Sequence, residues 1–259
     1  MISTQAKLIV ALTASLVSLS PFSWFAESAP RAAYGRQADS GATLRGKVLF
    51  DGERPKLEPL DIPEESSKGC CLPGEAVDRT NRGLLLSKQL EIANVVIEVK
   101  VPGNKIKSSK RIVQMDNKDC RFEPHVVIVP VGSKLEFKNS DKASHNVHTW
   151  STRNVSINKT VSEGSVLEIS FKRPDKIRVA CDIHPWMSGW IYVTDSPFVA
   201  LTDEHGAFEI KGLPPGKYKA NVWHESLAKQ TLEVVIGAEE QDIKVLWKME
   251  VDDGKKRRR

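Results

Sequence analysis

The chain is 259 residues long and 40% hydrophobic, which is enough for one large core or two small ones and too apolar for a disordered chain. Its formal net charge of +5 is matched by the run Lys255 to Arg259 alone, so the rest of the chain is close to neutral. That balance argues against nucleic acid as a partner, because a binding groove needs basic residues clustered on the fold itself.

The N-terminus carries Lys7, the apolar run Leu8 to Val17, and then Ser, Pro and aromatic residues up to Ala26. This pattern predicts a secretory signal peptide over residues 1–30, with cleavage between Ala26 and Ala33, and hence an exported, periplasmic or extracellular protein. The apolar run is too short and too rich in Ser for a membrane-spanning helix. An uncleaved N-terminus, or the basic tail at 251–259, would allow peripheral membrane association. Residues 31–43 read as a flexible leader.

Leu44 to Phe50 reads as a strand, closed by a turn at Asp51-Gly52. From Leu57 to Gly83, prolines and charges without a period predict an irregular connection. Strands are expected again at Leu84 to Leu86 and Ala93 to Lys100, making 44–110 an N-terminal β segment. Val126, Ile128, Leu135 and Phe137 alternate with other residues around Val131-Gly132-Ser133, predicting a pair of half-buried antiparallel strands. A second such pair is expected from Val166 to Phe171 and Ile177 to Cys181, around Arg173-Pro174-Asp175. There Ile177, Val179 and Cys181 share one inward face. Trp190 to Val193 follows, and beyond Asp195-Ser196-Pro197 come runs at Thr202 to Ile210, Tyr218 to Trp223, Thr231 to Ile236 and Asp242 to Trp247. No sustained helical period occurs after the leader, so the fold class is all-β.

The loop Cys181-Asp182-Ile183-His184-Pro185-Trp186-Met187 puts a thiol, an imidazole and a thioether close together after a strand. Soft sulfur combined with imidazole suits copper. A further nitrogen is expected from Asn139 to His148, where His145 and His148 are both candidates that alternation does not separate. His125 reads as a surface or hydrogen-bonded residue, and His205 and His224 as structural. Four cysteines suit an exported protein. With Cys181 on a metal, one disulfide is expected between Cys120 and either Cys70 or Cys71.

Ser144-His145-Asn146-Val147-His148 and the Cys181 to Met187 loop, with Phe122-Glu123-Pro124 and Val131-Gly132, resemble a cupredoxin, most similar to amicyanin and other plastocyanin-like proteins, over 111–195. The resemblance implies a Greek-key β-sandwich holding one blue (type 1) copper per chain, Cu(I) or Cu(II). It makes His145, Cys181 and His184 the main ligands and Met187 the axial thioether, with the Asn146 N–H on the metal-bound sulfur. It further implies an electron carrier working between redox protein partners; with four protein donors on the metal no position is open for a substrate, so an enzyme is not expected, and a subunit of a copper-dependent enzyme is the third reading. Thr202 to Phe208 with Leu213-Pro214-Pro215-Gly216-Lys217-Tyr218 is similar to the carboxypeptidase-regulatory-like, transthyretin-like β-sandwich, over 196–250. The opening strands of that fold are missing just before Thr202 but occur as Gly46-Lys47-Val48 and Ala93 to Val96. A second small sandwich, split by the inserted cupredoxin, is therefore expected. The alternative function is a copper-binding or copper-delivery module whose second sandwich docks a protein or polysaccharide.

Overall fold

The computed structural model describes residues 41–65, 77–238 and 242–251. The expected signal peptide, most of the leader, Cys70, Cys71 and the tail beyond Val251 lie outside the described residues. Within them the chain forms strands and no α-helix. First come β1 (Ala42–Phe50) and β2 (Val96–Lys100), then β3 (Ile112–Lys118), β4 (Arg121–Glu123), β5 (Val126–Pro130), β6 (Lys134–Asn139) and β7 (His145–Trp150). These are followed by β8 (Asn158–Val161), β9 (Val166–Ser170), β10 (Asp175–Ala180) and β11 (Ser188–Thr194). The chain closes with β12 (Val199–Leu201), β13 (Ala207–Leu213), β14 (Gly216–Trp223), β15 (Gln230–Ile236) and β16 (Asp242–Met249). The first strand starts at Ala42, slightly ahead of the expected Leu44.

Four sheets result, ordered β4-β3-β6-β9, β5-β11-β10-β7-β8, β12-β2-β14-β15 and β13-β1-β16. The first two close on a core that includes Met115, Phe122, Phe137, Val147, Ile177 and Ile191. The last two close on another, with Leu44, Val48, Ile97, Phe208, Ile210 and Val222. A smaller cluster of Val96, Val126, Ile128, Tyr192, Val199 and Trp223 joins the two inner sheets. The described chain is thus a stack of four β layers with apolar side chains between successive layers.

This stacking explains one run that alternation misreads. Val126 and Ile128, expected to face the same core as Leu135 and Phe137, face the seam between the inner sheets, while Val127 and Val129 face that core. Strand β5 is buried at every position, and a strand covered on both faces needs an unbroken apolar sequence.

Two expected pairings are also corrected. Strands β5 and β6 do not pair: β5 runs parallel to β11, and β6 parallel to β3 and antiparallel to β9. Strands β9 and β10 likewise lie in different sheets, β10 between β11 and β7. Alternation assigns residues to a face but does not say which strand lies alongside, and in a sandwich a short turn can cross the core. Gly132 makes the first crossing with φ +77, and a Cβ there would come within 2.6 Å of Ser108 Oγ.

Strands that precede the Cys181 loop pair with strands that follow it. Antiparallel β1 and β13 place Gly46 opposite Phe208, and antiparallel β2 and β14 place Ile97 opposite Val222. Strand β1 also runs parallel to β16.

Candidate metal centre

Strands β7 and β10 are antiparallel neighbours, with Ala180 opposite His148. The start of β7, at His145, and the loop after β10, from Cys181, therefore lie at the same end of the sheet. The loop is closed on itself. The Met187 N–H donates to the His184 carbonyl at 2.9 Å, and the Cys181 N–H to the Met187 carbonyl at 3.2 Å.

Three donor atoms converge there. His145 Nδ1 and His184 Nδ1 are 3.0 Å apart, and Cys181 Sγ lies 4.0 and 3.7 Å from them. His145, Cys181, His184 and Met187 are all buried. His145 Nε2 is 2.9 Å from Asp141 Oδ2, so it carries the proton that this carboxylate accepts. Its Nδ1 then presents a lone pair towards the other imidazole and the sulfur. A buried lone pair facing two further donor atoms calls for a proton or a cation between them.

Asp141 does more than orient one ring. Its Oδ1 accepts the Asp119 N–H at 2.7 Å and its Oδ2 the Cys120 N–H at 2.8 Å. Asp119 and Cys120 both have positive φ, 55 and 49, and the carboxylate holds this turn against the His145 ring. Asn146 works on the other side. Its backbone N–H donates to Cys181 Sγ at 3.4 Å, its Oδ1 accepts the Asp182 N–H at 2.6 Å, and its Nδ2 donates to Asn158 and Asp182. The backbone contact to sulfur agrees with expectation. The Asp141 contacts and the Asn146 side-chain contacts were missed, because nothing in the spacing of a loop Asp or Asn says which neighbouring loop it will reach.

The electrostatics favour a metal-binding thiolate. Burial alone would raise the Cys181 thiol, but hydrogen bonds from His145, His184 and the Asn146 N–H outweigh it and bring the group to about 6. For His145, burial pushes down while Asp141 and Cys181 hold it above the ordinary histidine value. Cys120 Sγ also lies within 4.8 Å of nitrogen atoms of both imidazoles. That sulfur is disulfide-bonded, whereas Cys181 is free, so Cys181 is the one with a thiolate to offer.

His148 is separated from His145 by the structure. It is partly exposed, bonds Asp182 at 3.0 Å and stacks on Trp150 at 3.8 Å. His125 and His224 are buried at the seam between the inner sheets, where Glu225 accepts from His125 and, at 2.7 Å, from the Trp190 indole. His205 is exposed.

The comparisons with known proteins bear on this region. Residues 90–193 match the model of the cupredoxin-like domain family. This stretch is a cupredoxin-like domain. The match begins upstream of the expected residue 111 and takes in β2. Similar solved structures include a Cu-containing nitrite reductase from Thermus scotoductus SA-01, at 24% identity and TM-score 0.31, covering 38% of this chain and 25% of that one. A purple cupredoxin from Nitrosopumilus maritimus has 22% identity and TM-score 0.28, covering 32% of this chain and 99% of that one. An oxidised amicyanin variant has 16% identity and TM-score 0.30, covering 37% and 98%. The chain spans about a quarter of the nitrite reductase. No curated protein matches. For a cupredoxin domain with imidazole and thiol donors gathered in this way, copper is the cofactor that fits.

Proposed function

We propose that the protein is an exported, mononuclear type 1 copper protein that carries single electrons between redox protein partners. His145 Nδ1, His184 Nδ1 and the Cys181 thiolate are the three close ligands, and Met187 is the axial thioether. The observation that carries this reading is the convergence of the two Nδ1 atoms and the sulfur, with Asp141 fixing the tautomer that leaves His145 Nδ1 free to bind. Bound copper supplies the one-electron Cu(I)/Cu(II) couple. The residues around it keep the donor atoms in place: Asp141 on one imidazole, Asn146 across the sulfur, and the Met187 to His184 bond across the loop. Four protein donors leave no open position for a substrate, which favours a carrier over an enzyme. Pro185 and the half-exposed Ile183 flank His184, making this loop the edge for electron exchange.

Export is supported by the Lys7 to Ala26 pattern and by the disulfide at Cys120. The uncleaved segment or the basic tail would hold the carrier near a membrane. The pairing of β1 with β13 and of β2 with β14 supports a second, carboxypeptidase-regulatory-like sandwich split by the cupredoxin domain.

The test is a titration of the purified chain with Cu(II). The expected result is one copper per chain and an intense blue absorption, bleached reversibly by reductant and lost in Cys181→Ser. A colourless complex that survives Cys181→Ser would overturn the assignment. Rapid copper release to an acceptor protein would point to copper delivery instead.

A further inference from the structure

A cleft of about 550 Å³ opens at the seam between the two inner sheets, away from the metal ligands. One wall comes from the cupredoxin side, with Arg153, Asp175, Lys176 and Tyr192, and the other from the facing sheet, with Lys100, Asn221, Trp223 and Lys229. Tyr192 and Trp223 are tilted against each other at 5.7 Å, and Lys176 Nζ stands 5.6 and 5.7 Å from their ring centres. The volume falls in the range of small-molecule sites.

The charge on the lining is not balanced. Four cationic side chains meet two carboxylates, Glu98 and Asp175, and both carboxylates are engaged. Glu98 is buried, accepts from the hydroxyls of Tyr192 and Thr194, and lies 3.6 Å from Lys100 Nζ. Asp175 accepts from Ser151, from Thr152 through both its N–H and its hydroxyl, and from the N–H groups of Arg153 and Lys176. Among the described residues, no carboxylate stands within ion-pair distance of Lys176, Lys229 or Arg153, and the Glu98 charge acts on Lys176 only from farther off. Burial, and then the nearby Lys229 ammonium, hold Lys176 below the ordinary lysine value. Crowded and partly desolvated cations of this kind gain most from a counter-charge placed among them.

We propose that this cleft binds a small, multiply charged oxyanion, a phosphate ester or a polycarboxylate, through Lys176, Lys229 and Arg153. Asn221 and Gln230 supply amide donors beside the cations, and Tyr192 and Trp223 complete the lining. Nothing in the site depends on the copper ligands, so the proposal stands apart from the electron-carrier reading.

The experiment is calorimetric titration of the metal-free full chain with inorganic pyrophosphate and, separately, with citrate, so that neither probe can strip copper. One saturable site is expected, weakened by added salt. The double variant Lys176→Gln, Lys229→Gln should weaken binding by at least about tenfold, while Lys176→Arg retains it and Cys181→Ser leaves it unchanged. If the half-buried Lys176 variant fails to fold, the pair Arg153→Gln, Lys229→Gln, exposed at both positions, takes its place. Tighter binding of pyrophosphate assigns the site to phosphate esters, and tighter binding of citrate assigns it to polycarboxylates. Absence of saturable binding by either probe, or binding that persists in the charge-neutral variants, would overturn the proposal.

Discussion

The two outer pairs of layers are built alike, each with two sheets closed on an apolar core, but they differ in what stands at the end of that core. Around Met115, Phe137 and Ile191 the apolar filling passes at one end into His145, Cys181, His184 and the buried Asp141. Around Leu44, Ile97 and Ile210 the cluster is apolar, and the buried Thr202 beside it spends its hydroxyl on the backbone of Ile92 and Val95. The same layer architecture can therefore be spent on stability alone, or can hold a polar cluster rigid where two neighbouring strands leave the sheet. What separates the two cases is a pair of loops, 139–145 and 181–187, and not the strands between them.

The sharpest way to break this contrast is at the polar end. Cys181→Ser is expected to remove the copper colour completely while the melting temperature of the metal-free chain stays within a few degrees. The converse variant lies in the dry core. Ile97 is fully buried, and Ile97→Ala should cost about 2–5 kcal/mol of stability, read by denaturant unfolding, with the copper spectrum of the folded fraction unchanged. An altered spectrum would show that the two cores are not separable.

Next in size is a pH effect at the seam between them. Burial holds His224 down at about 4, with Glu225 opposing and His125 adding to the depression. Because the folded value lies below the ordinary histidine value, the unfolded chain takes up the proton first. The contribution is fully present at neutral pH and is lost as pH falls from about 6.5 to about 4, by at most about 3 kcal/mol. Unfolding free energies at pH 7 and pH 4.5, compared between the native chain and His224→Gln, isolate this slope; equal slopes would remove His224 as its source.

The smallest change is expected at Asp141. Asp141→Asn keeps the shape but leaves one acceptor oxygen for three donors. Copper affinity, measured by competition with a chelator, should fall by about 10- to 100-fold without loss of the blue band. Unchanged affinity would mean that Asp141 serves the Asp119-Cys120 turn and not the metal centre.

The donors and the strands were legible in the sequence to different degrees. Cys181, His184 and Met187 stand together because one short loop carries them, and Cys181 shares an inward face with Ile177 and Val179. His145 was distinguishable from His148 only by resemblance. The structure separates them by burying one against Asp141 and placing the other beside Asp182 and Trp150. Strand positions follow from period and turn residues. The partner of each strand does not, which is why β5 and β6 were expected to pair although Gly132 carries the chain across the core. The continuous run of β5 contained the signal for a doubly covered strand, but a run of that length reads equally well as a singly covered one.

The adjacency of β2 and β12 has a mechanical consequence. These strands are antiparallel neighbours, with Glu98 opposite Val199, so the β3 to β11 region leaves the inner sheet and returns to it at a single doorway. The outermost ladder, β1 against β16, is parallel and pairs Thr43 with Asp242 through to Phe50 with Met249. Tension applied at the two ends of the folded chain would load that ladder in shear and bypass the proposed copper ligands, which hang on a side branch carrying no force.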